Sequence, residues 1–297
     1  MSRLFKVALL QYPIAWADKE TNLRETTKRI ATLAEKADVA LLPEMFSTGF
    51  CTDRPELAEM MDGETMKTLQ AAANQYDIAI AGSFICRDEE GLKNRGFLVR
   101  PHTTVQVQDK RHLYAHGGED RFFTAGQARQ VFEYKGVRMQ MLVCYDLRFP
   151  AWARNHSGND YDILLVCANW PEIRIQYWDA LVAARAIENQ CYIAAVNPVG
   201  DDALGLHYNG HSVAYNTRLQ AIARFEDNEA GTRIAEFDID ALHHFREALP
   251  LWKDVDAFEI HTEGGEININ YHELAINFRN GACGDANRNK WLNINGV

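Results

Sequence analysis

Short apolar runs recur along the first part of the chain, and helical stretches separate them. Residues 5–12, 39–42 and 78–83 are three such runs. Between them, residues 21–37 place Leu23, Ile30, Leu33, Ala34 and Ala37 on one helical face, with Thr21 or Asn22 as the expected cap. Glu64–Tyr76 does the same with Met66, Leu69, Ala73 and Tyr76. A β-α-β-α-β alternation of this kind calls for a sheet with helices packed on it. The fold class expected is therefore α/β.

The middle of the chain turns to hairpins. Residues 94–100 and 105–110 read as two strands, and residues 130–134 pair with Val137–Val143 around Lys135 and Gly136. A short helix is expected at residues 151–154, then a strand at Ile163–Cys167. Ile175–Asn189 is apolar nearly all round, which predicts a buried helix. Strands follow at Tyr192–Val196, 212–215, 221–225 and 232–238, then a short helix from Ile239. Past residue 260 the periodicity fades into polar, Asn-rich sequence. The reading is one domain over residues 1–260 and a polar C-terminal extension or tail over 261–297.

With 31 Lys and Arg against 41 Asp and Glu, the net charge of −10 argues against general nucleic-acid binding. No apolar run reaches membrane-spanning length, and the N-terminal one is too short for a signal peptide. The six cysteines, Cys51, Cys86, Cys144, Cys167, Cys191 and Cys283, lack CxxC pairing. That favours reduced thiols in a cytoplasmic protein over a disulfide framework or zinc site. His112 and His116 stand in an apparent loop without acidic ligands at metal spacing, and His243 and His244 read as surface residues, so no metal is expected.

Three apolar strands end at reactive groups: Glu44 after Leu42-Pro43, Lys110, and Cys144 after Val143. Alone, each has a plain explanation: a solvated or capping glutamate, a solvated lysine, a buried structural cysteine. Together they carry more weight, because parallel strands bring their carboxyl ends to one rim. Cys144 is then a nucleophile and Glu44 the base that takes its proton. Lys110 favours the thiolate and stabilises an oxyanion, with the N–H of Tyr145 as second donor. Such a site suits acyl transfer from an amide: thiol attack, loss of ammonia, and hydrolysis of a thioester.

These residues resemble the nitrilase superfamily. The similarity lies in Leu41-Leu42-Pro43-Glu44-Met45-Phe46, Asp109-Lys110-Arg111-His112-Leu113 and Val143-Cys144-Tyr145-Asp146-Leu147-Arg148-Phe149-Pro150, in that order. It runs from about residue 5 to 258. It implies a Glu44-Lys110-Cys144 triad and a second glutamate, Glu119, that positions substrate and Lys110. It also implies a four-layer α-β-β-α sandwich assembled as a homodimer or larger homo-oligomer. No cofactor is expected.

Tyr145-Asp146 after the cysteine looks like the amidase branch rather than the true nitrilases. Asn169-Trp170-Pro171 and residues 178–189 look most like bacterial omega-amidases. That implies hydrolysis of the terminal amide of 2-oxoglutaramate or 2-oxosuccinamate. The same triad would serve a deaminated glutathione amidase or an N-carbamoyl amidohydrolase, and a non-catalytic binding protein of the same fold is a remoter reading. A 2-oxo acid amide carries a carboxylate that needs a partner in the pocket. Arg148 is the nearest candidate, unless it pairs with an acidic side chain to shape the cysteine turn. Arg121, Arg174, Asn169, Trp170 and Tyr177 complete the substrate-binding candidates.

Overall fold

The computed structural model describes residues 4–155, 160–256, 260–262 and 265–267. Strands β1 (Leu4–Gln11), β2 (Val39–Leu41) and β3 (Ala79–Asp88) run parallel, connected by α1 (Lys19–Ala31) and α2 (Glu64–Tyr76). An antiparallel meander, β4 (Gly91–Val99) and β5 (Gln106–Asp109), extends this sheet, so β5 again points the way of β3. A second sheet is built from β6 (Val131–Tyr134), β7 (Val137–Val143), β8 (Ile163–Cys167) and β9 (Tyr192–Val196). The last three run parallel, with α3 (Pro150–Ala153) and α4 (Ile175–Asn189) in the crossovers. A small hairpin, β10 (Val199–Asp201) and β11 (His207–Asn209), precedes β12 (Val213–Tyr215), which pairs with β9, and the edge strand β13 (Ala221–Arg224). The chain then returns: β14 (Gly231–Asp238) pairs antiparallel with β1, and α5 (Ile239–Ala248) follows, with Asp238 accepting the Ala241 N–H as its cap.

Residue alternation explains the layering. On β1, Phe5, Val7 and Leu9 join a core that includes Met139, Met141 and Val143 of the second sheet. The alternate residues Ala8 and Leu10 pack with Leu23, Ile30, Met66 and Leu69 of α1 and α2. A strand covered on both faces reads as a continuous apolar run for this reason. On the far side of the second sheet, Trp152 of α3, Trp178 and Val182 of α4, and Leu242 of α5 close the fourth layer. Two helical and two β layers therefore stack as an α-β-β-α sandwich. The sheets meet closely at Gly96, where a Cβ would stand 2.8 Å from both Gln108 O and Met141 Sδ.

Several local expectations change. Asp18, not Thr21 or Asn22, caps α1, accepting the Thr21 N–H at 3.0 Å. Asn22 is turned inward instead, bonded to Ala15 and Ser47 backbone atoms. Helix α1 stops at Ala31, short of residue 37. Helix α4 is not buried all round: it covers one face of a sheet, which leaves Tyr177 56% and Ile187 51% exposed. The β10–β11 hairpin was not expected, because three-residue strands are too short to show a period. Beyond α5, β15 (Ile260–Thr262) and β16 (Gly265–Ile267) form a hairpin, with Ile260 against the core. The rest of the expected tail lies outside the described residues.

Candidate active site

The strand ends that carry Glu44 and Lys110 belong to the first sheet, whereas Cys144 leaves the second. The shared rim is thus made by two sheets. Two packed sheets bring their carboxyl ends together, and the site spans the seam. Glu44 N–H donates to Ala168 O at 3.3 Å across that seam.

Cys144 sits at φ +47°, in the left-handed region that a β-carbon disfavours. Holding it there costs about 1–3 kcal/mol. Packing of Leu142 and Leu147 on either side and the Asp146 carboxylate maintain the turn. Asp146 Oδ2 accepts the Val143 N–H, and Oδ1 accepts both the His112 N–H and the His112 ring at 2.8 Å. His112 in turn stacks on Phe149 at 3.6 Å. The turn lifts the sulfur off the sheet, where it donates to Asn169 O at 3.8 Å and keeps 9% of the Cys144 surface open.

Behind the thiol lies a buried charge cluster. Lys110 Nζ is 2.9 Å from Glu44 Oε1 and 2.8 Å from Glu119 Oε2, and all three side chains are fully buried. Glu44 Oε2 accepts the Asn169 N–H at 2.9 Å, and the Asn169 amide donates to Glu44 O at 2.7 Å. Glu119 Oε2 also accepts the Tyr114 N–H at 2.7 Å. Asn94 Nδ2 reaches both glutamates, at 2.8 and 2.9 Å. Removing one partner from a buried ion pair typically costs about 3–5 kcal/mol, so this cluster is a structural commitment as well as a chemical one.

Burial pushes the Lys110 ammonium down, but the charges of Glu119 and Glu44 outweigh it and hold it well above the usual lysine range. Burial, then the Glu44 charge, push Glu119 up against the pull of Lys110. The Cys144 thiol is pushed well above the usual thiol range, first by burial and then by Glu44, with Lys110 opposing too weakly to win. The resting cysteine is therefore a thiol, not the thiolate that a lysine alone would favour. For such a thiol to act as a nucleophile a neighbouring base would have to take its proton, and the Glu44 carboxylate lies close enough to act on it electrostatically.

A cavity of about 110 Å³ opens over Cys144. Its walls include Phe50, Tyr114, Tyr145, Trp170 and Tyr208, with Arg148 and Arg174 among them. Asn169 lines it as well, and Asn197 fixes Trp170 by accepting its N–H at 2.6 Å and donating to its carbonyl at 2.9 Å. Arg148 makes no ion pair among the described residues. Its guanidinium instead lies 4.9 Å from the Trp170 ring, 5.3 Å from Tyr177 and 6.0 Å from Tyr145. Tyr177 thus stands behind Arg148 and outside the cavity lining. Arg121 lies in an adjoining outer cavity of about 510 Å³ with His116 and Arg174. Sequence reasoning missed Asn94, Asp146, Asn197 and Tyr208 as parts of this site. Asp146 had a signal in its place beside the cysteine; Asn94, between Lys93 and Arg95, reads locally as one residue of a solvated strand.

A profile of carbon-nitrogen hydrolases matches residues 6–247. The sequence is 42% identical over 255 residues to omega-amidase YafV of Escherichia coli K12, covering 86% of this chain and 98% of that protein. It is 30% identical to 2-oxoglutaramate amidase of Bacillus subtilis, covering 84% and 96% of the two chains. Among solved structures, XC1258 of Xanthomonas campestris, a CN-hydrolase superfamily protein, superposes with a TM-score of 0.84 at 35% identity, over 87% of this chain and 100% of that one.

Proposed function

The chain belongs to the carbon-nitrogen hydrolase family, and from that premise we propose that it is an omega-amidase, releasing ammonia from the terminal amide of 2-oxoglutaramate or 2-oxosuccinamate. It is a hydrolase of linear amides, acting on carbon–nitrogen bonds other than peptide bonds. The observation that carries the substrate reading is a cationic side chain, Arg148, that shares one cavity with the Cys144 thiol and has no acidic partner among the described residues. Aromatic faces hold the guanidinium, which leaves its donors for a carboxylate.

In the mechanism, Glu44 takes the Cys144 proton as sulfur attacks the amide carbon. The oxyanion is met by Lys110 Nζ and the Tyr145 N–H, groups fixed before the reaction begins. Glu44 returns the proton to the departing nitrogen, the C–N bond breaks, and ammonia leaves a thioester. Water, deprotonated by Glu44, attacks the thioester; the C–S bond breaks, Glu44 returns the proton to the departing sulfur, and the 2-oxo dicarboxylate and the free thiol result. Glu119 holds Lys110 in place throughout. Asn169 and Trp170 form the wall beside the substrate, and Arg121 and Tyr177 act from outside that wall.

A charge-assisted hydrogen bond contributes about 1.5–3 kcal/mol, or about one to two decades in rate. Activity on 2-oxosuccinamate should therefore exceed that on an uncharged amide of equal length by that factor. Arg148→Leu should erase the preference and spare the uncharged amide. Ammonia release from a panel of 2-oxo acid amides, glutamine, asparagine, an N-carbamoyl amino acid and a nitrile is the measurement. Equal loss on charged and uncharged amides would make Arg148 structural, and a preference for the carbamoyl compound would overturn the substrate assignment.

The same reading includes a catalytic unit over residues 1–260 with 261–297 as an extension, and assembly into a homodimer or larger homo-oligomer. The apolar side chains left exposed on α4 support that assembly. The five described cysteines are all free thiols, which supports a cytoplasmic setting. No helix among the described residues is long and apolar enough to cross a membrane.

A further inference from the structure

Asn94 has no part in the scheme above, yet it sits at the centre of the charge cluster. Its Nδ2 gives one hydrogen to Glu44 Oε1 at 2.8 Å and the other to Glu119 Oε1 at 2.9 Å. Its backbone carbonyl accepts the Lys110 N–H at 2.9 Å, so it also anchors the chain from which the lysine rises. Its Oδ1 is buried without a hydrogen-bond partner. An asparagine chosen for stability would use that acceptor, since an unmade buried hydrogen bond is costly. The amide is kept in this orientation by its neighbours: turned over, Oδ1 would face two carboxylate oxygens.

We propose that Asn94 is a positioning residue, dividing its two N–H groups between Glu44 and Glu119 so that the two carboxylates are held apart and Glu44 stays aimed at the Cys144 proton. Two carboxylates this close tend to share a proton. Lys110 offsets one negative charge, and the Asn94 amide stabilises what remains. Among the described residues, further ionisable groups that interact with Glu44 include Cys144 after β7, Cys167 at the end of β8 and Tyr208 on β11. Each of these is held neutral by burial first, so none adds a further negative charge, and none could supply a positive one. Without the amide, the charged carboxylates lose two hydrogen bonds, and hydrogen bonding to a charged form is what favours it.

The inference rests on Cys144 being the nucleophile and not on the identity of the amide, so the test uses no amide substrate. The rate of Cys144 alkylation by iodoacetamide is measured against pH in the full-length protein, with Cys144→Ala in parallel to subtract the other thiols. Asn94→Ala and the isosteric Asn94→Asp are compared with wild type, and folding is checked by circular dichroism and thermal melting. Both variants should react at least about tenfold more slowly near neutral pH. Their acid limb should move to higher pH by about one unit. A folded variant with the wild-type profile overturns the proposal, as does a uniform fall at every pH with the limb unmoved, which is what looser packing alone produces. Should Asn94→Ala fail to fold, Asn94→Asp, which preserves volume, decides between these outcomes. If wild-type Cys144 reacts no faster than the background thiols, the nucleophile assignment itself falls, and the proposal with it.

Discussion

At the scale of single residues, the proposed mechanism has a nucleophile that stays neutral until it is needed. Burial and the Glu44 charge hold the Cys144 proton on, and Lys110 is committed to two carboxylates rather than to the thiol. A hydroxyl at this position would be harder still to deprotonate and a poorer nucleophile. Cys144→Ala should abolish ammonia release with the fold kept, and Cys144→Ser should lower it by about 10³-fold or more. Assay of the purified variants checks this. A serine variant within about tenfold of wild type would mean that the base is far stronger than a buried carboxylate allows.

At the scale of elements, the decisive contact is between β4 and β7. Gly96 lets Met141 and Val143 of the second sheet approach the first, with the would-be Cβ position only 2.8 Å from Met141 Sδ and 3.3 Å from Val143 Cγ2. Cys144 follows Val143 directly, and Asn94 lies two residues before Gly96, so the spacing of the sheets sets the spacing of the proposed nucleophile and positioning residue. Gly96→Ala should destabilise the protein by about 1–3 kcal/mol through overpacking. It should also lower kcat by more than the loss of folded protein explains. Urea denaturation and the rate per folded molecule test the two parts, and a variant with normal stability and rate would show that the seam yields easily.

At the scale of the whole molecule, stability should depend on alkaline pH. Burial pushes the Cys191 thiol from 9.0 up to about 12, and burial pushes the Tyr12 phenol from 10.0 up to about 12. Folded values above the unfolded ones mean that the native state keeps protons the unfolded chain has released. Their stabilising effect is complete below about pH 9 and is lost as pH rises toward 12, at about 1.4 kcal/mol per pH unit for each group within its window. Urea midpoints should hold between about pH 7 and 8.5 and fall steeply above about pH 9.5; a flat profile would contradict the assignment of these groups as buried and neutral. The extension is the other test at this scale. The family match ends at residue 247, and the hairpin Ile260–Thr262 with Gly265–Ile267 packs Ile260 on the core. Truncation after Ile267 should leave activity and melting temperature unchanged, whereas loss of either would make the later residues part of the catalytic unit.

Strand ends and helix faces are local properties, and the chain wrote them locally. The apolar runs before Glu44 and Cys144, and the helical face of Glu64–Tyr76, were legible because burial on a strand or helix imposes a short period on neighbouring residues, whereas the strand before Lys110 is half polar and the one covered face of Ile175–Asn189 was not distinguished. The motifs around the three reactive groups gave the family for the same reason. What depended on distant partners was not legible. That Cys144 comes from a different sheet than Glu44 and Lys110, and that it rests as a thiol, follow from the packing of two sheets and the dielectric this creates. Asn94 looks like a surface residue until Glu44, 50 positions away, and Glu119, 25 away, close on it. Charge, burial and hydrogen-bond geometry are sums over all neighbours in space, and only the folded chain determines who those neighbours are.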